Sequence, residues 1–171
     1  GSLAAWTPPG DAVIAAFVDR IRAAGEVLIS YDPNVRPRLL GTPEQGRNAV
    51  EAAVAAAHVV KASDEDVRWL YPGRDLDEVA NAWLALGPEL VVITRGGEGA
   101  GAYRRGRAVL RRPARPLGLV DTVGAGDAFT SGLLAAIVRS GADRPGALAE
   151  LTEPAVASLV EDAILVAALT C

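Results

Sequence analysis

Cysteine and histidine are almost missing from this 171-residue chain, which has one of each: Cys171 at the last position, and His58. A single thiol cannot close an intramolecular disulfide, and one Cys with one His cannot supply the four ligands of a structural zinc site. Such cysteine usage suits a reducing compartment, and a cytoplasmic location is expected. An uninterrupted apolar run of the ~18 residues that a membrane-spanning helix needs is also lacking. Residues 151–169 come nearest, and Glu153, Glu161 and Asp162 interrupt them. No charged-then-apolar leader opens the sequence. Nor is there an excess of positive charge. Lys and Arg number 17 against 21 Asp and Glu, a formal net charge of −4, which argues against a general nucleic-acid binder. The one dense basic stretch (Arg104, Arg105, Arg107, Arg111, Arg112 and Arg115) reads as a solvated hairpin rather than a binding stripe.

What is present is apolar patterning in alternating blocks. Half of the residues are hydrophobic, enough for a sizeable core in a single domain. Asp11 is placed to cap a helix through Ala24 that Gly25 ends, and residues 27–30 read as a short buried strand. Thr42-Pro43-Glu44-Gln45 is a helix start, with proline in the first turn and Gln45 placed for a capping box, leading to a helix through Ala57. Residues 58–61 form the next strand. Ser63 opens a short helix to Leu70, Asp75 opens another to Leu86, and residues 90–94 are a third strand. Residues 99–104 and 108–112 then pattern as a hairpin about Arg105-Gly106-Arg107. Thr152-Glu153-Pro154 starts a last helix to about Leu169. This βα series implies an α/β fold: a largely parallel sheet with helices on both faces, a β-hairpin, and ligands beyond the strand carboxyl ends. Nothing in composition or periodicity indicates a second domain.

Residues 121–127 read Asp-Thr-Val-Gly-Ala-Gly-Asp and run into an apolar helix over residues 128–138. A helix N-terminus offers free N–H groups and the positive end of the macrodipole, and Gly124 and Gly126 let backbone approach an anion closely. Asp127 in that turn fits three readings: an acid favoured by the helix dipole, part of a dinucleotide turn, or a base beside a bound phosphoryl group. The dinucleotide reading needs a third glycine, and Asp127, Ala128 and Phe129 follow instead; Asp143 sits in a polar loop, not at a strand end. The cluster at residues 96–101 fails the same spacing. No Gly-x-x-x-x-Gly-Lys-Ser/Thr element occurs.

Asp121-Thr122-Val123-Gly124-Ala125-Gly126-Asp127-Ala128-Phe129, with Gly132 a turn later, resembles the C-terminal signature of the ribokinase-like (PfkB) carbohydrate kinases. Three more segments match in order. Asp32-Pro33-Asn34-Val35-Arg36 is similar to the Asp-Pro-Asn-x-Arg segment of fructokinase-like members. Lys61-Ala62-Ser63-Asp64-Glu65-Asp66 resembles the Lys-x-Asn/Ser-x-x-Glu element, with Asp66 where Glu is usual. Thr94-Arg95-Gly96-Gly97-Glu98-Gly99 resembles the Thr-x-Gly-x-x-Gly nucleotide turn. The resemblance spans essentially the whole chain, but the family's glycine-rich N-terminal half, with its lid strands and much of the sugar surface, has no counterpart here. It therefore implies a ribokinase-like fold of which residues 1–171 are the C-terminal part, with little turnover by that part alone.

It also implies an ATP-dependent kinase acting on fructose or a related keto-sugar, with ATP and Mg²⁺ as cofactors; a non-catalytic nucleotide-binding remnant is the alternative. Asp127 would be the general base, and the amides of Gly124, Ala125 and Gly126 would stabilise the transferring phosphoryl group. Thr94, Gly96, Gly99 and Thr122 would border the nucleotide, although a plain strand-to-hairpin turn would also select the first three; Asn34 and Arg36 would offer a polar fork for the sugar or a phosphate, and Asp32-Pro33-Asn34 is equally a turn sequence in its own right. Asp66 would reach a magnesium-bound water, or serve simply as a first-turn acid. The partners implied are the sugar and ATP, with room for a homodimer of the whole protein, and neither nucleic acid nor membrane. His58 reads as a satisfied interior residue, Trp6, Trp69 and Trp83 as packing, and Gly132 as a site of close helix approach.

Overall fold

A computed structural model describes residues 6–115 and 124–170. Its spine is a five-stranded sheet in simple sequence order: β1 (Ser30–Tyr31), β2 (Val59–Ser63), β3 (Leu90–Thr94), β4 (Ala100–Tyr103) and β5 (Leu110–Arg112). β1, β2 and β3 run parallel, while β4 and β5 return antiparallel, so the sheet is mixed, with a parallel half and a hairpin half. The parallel half carries its crossovers on one face: α2 (Pro37–Leu40) and α3 (Pro43–Ala56) before β2, then α4 (Asp64–Leu70) and α5 (Leu76–Leu86) before β3. α6 (Ala125–Arg139), α7 (Ala147–Glu150) and α8 (Glu153–Thr170) follow the hairpin, and α1 (Gly10–Ala24) precedes β1.

Alternation along β2 and β3 sorts the core into two halves, because successive side chains leave a strand on opposite faces. Val60, Ala62, Val91 and Ile93 join Val50, Val54, Leu70, Val79 and Trp83 under α3, α4 and α5. Val59, Leu90 and Val92 join Phe129, Leu133, Ile137, Val156 and Val160 under α6 and α8. Lys61 has the parity of the second set, so its long stem travels through apolar surroundings toward α6.

Helix starts mostly follow the sequence reading. Thr42 and Gln45 form a reciprocal capping box with Pro43 at the first position, Ser63 and Asp66 form another, and the Asp75 carboxylate accepts from the amides of Asp77 and Glu78. Asp11 is a correction: α1 begins at Gly10, and Asp11 lies inside its first turn, accepting from the Ala12 amide at 2.8 Å. The first strand is also shorter than expected and shifted to Ser30–Tyr31, although the Ile29 carbonyl still accepts from the amides of His58 and Val59. The strand expected at residues 58–61 continues to Ser63, and two one-turn helices, α2 and α7, had no sequence signal long enough to register. Part of the arginine run is buried rather than solvated: Arg104 is 9% exposed and donates to the Leu151 carbonyl beyond α7. Arg105 likewise donates to Leu84 in the last turn of α5. Among the described residues, no helix is long and apolar enough to cross a membrane.

The tightest helix contact is α6 against α8. A Cβ on Gly132 would lie 2.9 Å from Val166 Cβ and 3.0 Å from Ala163 Cα, so only glycine permits this approach. Gly132→Ala is expected to destabilise the chain by about 1–3 kcal/mol, the usual cost of overpacking, read as a lowered urea midpoint.

His58 is held by its neutral form: the Ile29 amide donates to His58 Nδ1 at 2.9 Å. Burial, followed by the nearby Arg22 charge, holds its pKa below the ordinary histidine value. The unfolded chain therefore takes up the proton first. The stabilisation is complete above about pH 6.5 and is lost as pH falls through the lower folded value. Urea titrations from pH 8 to 5 should show the advantage of the parent over His58→Leu narrowing as pH falls.

Candidate active site at the head of helix α6

Several of the segments singled out for chemistry follow the carboxyl ends of β1, β2 and β3. Ser63 and Thr94, the last residues of β2 and β3, are register partners, so the two segments leaving them start side by side. α6 points its N-terminus at the same end. Gly124 is its N-cap, with φ 83°, a left-handed conformation that suits glycine, and it bears no side chain to cap the helix. The first intrahelical bond is Ala128 N–H to the Gly124 carbonyl at 2.9 Å, and the amides of Ala125, Gly126 and Asp127 have no acceptor among the described residues. The helix thus starts three residues earlier than the sequence pattern suggested, and the glycine turn is its first turn. Asp127, the third helical residue, is exposed, and its carboxylate engages no described side chain or amide.

Beneath this turn lies a group that sequence reasoning did not place in the site. Lys61 Nζ is 3.0 Å from Asp32 Oδ2, with the lysine side chain 6% exposed and the aspartate 21%. A Cβ on Gly126 would meet the ammonium at 3.2 Å, so the charge sits directly against the helix tip. Thr130 Oγ1 lies 3.0 Å from the Gly126 carbonyl and 3.3 Å from Asp32 Oδ2, linking α6 to the same carboxylate. Asp32 is aimed by its own turn: its Oδ1 accepts from the Asn34 amide at 3.0 Å, and Asn34 takes φ 41°, a left-handed conformation asparagine tolerates better than most residues. The usable signal was a charged residue at a core parity inside a strand, Lys61 amid Val59, Val60 and Ala62.

Asp66 does two backbone jobs. Its Oδ2 accepts from the Ser63 amide at 3.2 Å, completing the capping box, and its Oδ1 accepts from Val35 at 2.9 Å, tying α4 to the segment after β1. The first-turn role foreseen for it is therefore filled. Arg36 is exposed and donates to the Val35 carbonyl at 3.1 Å. Asn34 and Arg36 do not line the cleft described next, and Thr122 lies outside the described residues.

A cleft of about 550 Å³ opens between the head of α6, the ends of β2 and β3, and the C-terminal part of α8. Thr94, Gly96, Gly99, Ala125 and Gly126 line it, with Lys61 at its base and Phe129 and Ile164 supplying apolar wall. Gly99 is obligatory: φ is 98°, and a Cβ would stand 2.0 Å from the Arg112 carbonyl where β5 ends. Asp127 follows the lining residue Gly126 but does not itself line the cleft. The helix tip thereby presents amides and Lys61 to the cleft and leaves a carboxylate beside it.

These features fit a polyphosphate: three amides at a helix start with no acceptor among the described residues, an ammonium against them, and glycine where bulk would block approach. Among the described residues, no three His, Cys, Asp or Glu side chains group as an all-protein metal cage. A magnesium ion held mostly by phosphates and water needs no such cage.

Comparison with known proteins bears on the same elements. Residues 9–158 match the model of the pfkB family carbohydrate kinases. The chain is 38% identical over 164 residues to a fructokinase of Rhizobium leguminosarum bv. trifolii, covering 96% of this chain and 47% of that protein. The crystal structure of fructokinase with bound ATP from Xylella fastidiosa superposes with a TM-score of 0.85 at 25% identity, over 97% of this chain and 52% of that one. A fructokinase double mutant from Vibrio cholerae O395, bound to fructose, ADP and potassium ion, gives 0.82 at 26% identity, over 99% and 52%. The chain spans about half the length of the curated relatives it matches. With the fold, the glycine turn and the strand-end segments in agreement, the chain has a ribokinase-like α/β fold and belongs to the pfkB family of carbohydrate kinases.

Proposed function

We propose that residues 1–171 are the C-terminal part of one kinase domain, supplying the nucleotide site and base of an ATP-dependent sugar kinase in the cytoplasm, with fructose or a related keto-sugar as acceptor. The observation that carries this reading is the head of α6, where three amides and an exposed carboxylate, none with a partner among the described residues, adjoin Lys61. The keto-sugar assignment is supported by fructokinases at 36–38% identity.

Bound Mg²⁺–ATP would supply the phosphoryl group and neutralise part of its charge. Thr94, Gly96 and Gly99 would border the nucleotide in the cleft, with Thr122 preceding the same helix turn. The amides of Gly124, Ala125 and Gly126, with that of Asp127, would be aimed at the terminal phosphate. Lys61, fixed by Asp32, adds a positive charge that needs no reorganisation when negative charge builds up, and preorganised charge of this kind is what phosphoryl transfer chiefly requires. Asp127 would receive the proton from the sugar hydroxyl as its oxygen bonds to phosphorus and ADP departs. The acceptor would approach on the Asp127 side of the tip, with Asn34 and Arg36 as its polar contacts. Asp66 retains unused lone pairs that would accept from a magnesium-bound water.

The test is made on the full-length protein that contains this chain. Asp127→Asn is expected to lower kcat for fructose by about 10²–10⁴-fold, the range for loss of a general base, while the Kd for ATP stays within about twofold. Turnover retained in Asp127→Asn removes Asp127 as base. Tight ATP binding without phosphorylation of any sugar by the parent protein would favour a nucleotide-binding remnant.

A further inference from the structure

Arg95 stands between Thr94 and Gly96, and its guanidinium is incompletely used. Nε is buried with no acceptor among the described residues. Nη2 lies 3.4 Å from both Asp77 Oδ1 and Tyr103 Oη, at the outer limit of a hydrogen bond. Those two acceptors have better partners. The Tyr103 hydroxyl donates to Asp77 Oδ1 at 2.6 Å, and Arg111 Nη2 reaches Asp77 Oδ2 at 2.5 Å. Burial works to raise the Asp77 pKa, yet Tyr103, Arg111 and Arg95 together hold it below the ordinary carboxylate value. The carboxylate therefore remains charged, and it would keep two short contacts if Arg95 turned away.

Of the described residues Arg95, Asp77, Tyr103 and Arg111, Arg95 alone lines the cleft. The other lining charges are differently placed. Lys61 is committed to Asp32, and Asp64 is paired with Arg68. Glu65 adds a negative charge at the wall, and Arg115 is an exposed cation. A polyanion entering this space meets two acids, so the nearby cations decide whether it binds. A weakly held guanidinium with an unsatisfied donor is suited to pairing with a phosphate oxygen through charge-assisted hydrogen bonds.

We propose that Arg95 is a nucleotide-binding residue, which Asp77 and Tyr103 hold beside the cleft and which turns onto a phosphate oxygen of the nucleoside triphosphate. This rests on the reading of the cleft as the nucleotide site. The backbone of the Thr94–Gly99 segment shapes the turn, while the Arg95 side chain distinguishes a phosphorylated nucleotide from a bare nucleoside.

In the full-length protein, Arg95→Ala is expected to raise both the Kd and the KM for ATP by about tenfold or more, as loss of a charged hydrogen bond does, with the sugar KM within about twofold. Adenosine should bind parent and variant alike. Arg95→Lys should recover part of the ATP affinity, and Arg111→Ala, which changes Asp77 without touching the cleft, should leave it unchanged. ATP affinity within twofold of the parent in both Arg95 variants overturns the proposal and leaves the Asp127 reading intact. So does equal loss of ATP and adenosine, which marks a role in shaping the turn. If Arg95→Ala fails to fold by circular dichroism, Arg95→Lys alone decides, on the ratio of ATP to adenosine affinity. No ATP binding by the parent protein overturns both readings.

Discussion

Lys61 carries its charge along an apolar stretch of strand to a point where an unpaired ammonium would be expelled, and Asp32 at 3.0 Å is what retains it there. Desolvating two ions is expensive, and the cost is offset only when geometry is good and the remaining lone pairs are used. Asp32 satisfies that condition: one oxygen accepts from the Asn34 amide, and the other faces Lys61 and Thr130. Through this one carboxylate the turn after β1, the middle of β2 and the first turns of α6 acquire fixed relative positions. The amides at the head of α6 are aimed by that arrangement, since the helix carries no side-chain cap of its own.

The division of labour across the sheet follows from strand parity. One face of β2 and β3 is wholly apolar against α3, α4 and α5, and provides a rigid backing. The other face is apolar toward the strand starts and becomes polar at Lys61, Ser63 and Thr94, under the head of α6. Gly132 lets α8 come close enough to α6 for Ile164, Ala167 and Ala168 to wall the cleft. A packing glycine one turn beyond the site thereby bears on the shape of the site.

Arginines are used here mainly to close structure. Arg104 and Arg105 serve carbonyls at helix ends, Arg112 pairs with Glu161 across to α8, and Arg111 holds Asp77. Tyr103, its own pKa pushed up to about 12 by burial and by its bond to Asp77, stays a neutral donor in that group. A run of positive charge that resembles a solvated ribbon in one dimension becomes in three dimensions a set of ties between the hairpin and its neighbours.

The order of elements, the caps at Thr42, Ser63 and Asp75, the hairpin, and the glycine turn with Asp127 were all legible in the chain, because each depends on residues within a few positions of one another. Local signals were weakest where local structure is short: the two-residue strand β1 and the one-turn helices α2 and α7 are held by neighbours more than by propensity. What only the tertiary structure decided was which polar groups meet. Asp32 and Lys61 lie 29 positions apart and Asp32 and Thr130 lie 98, and no periodicity predicts that a turn, a strand interior and a helix will share one carboxylate. The same holds for Arg95, whose motif position is plain in sequence but whose loose attachment depends on how α5 and the hairpin divide Asp77 between them. Backbone conformation is written in neighbouring residues, whereas the electrostatics of a site arise from burial, which exists only once the chain has closed on itself.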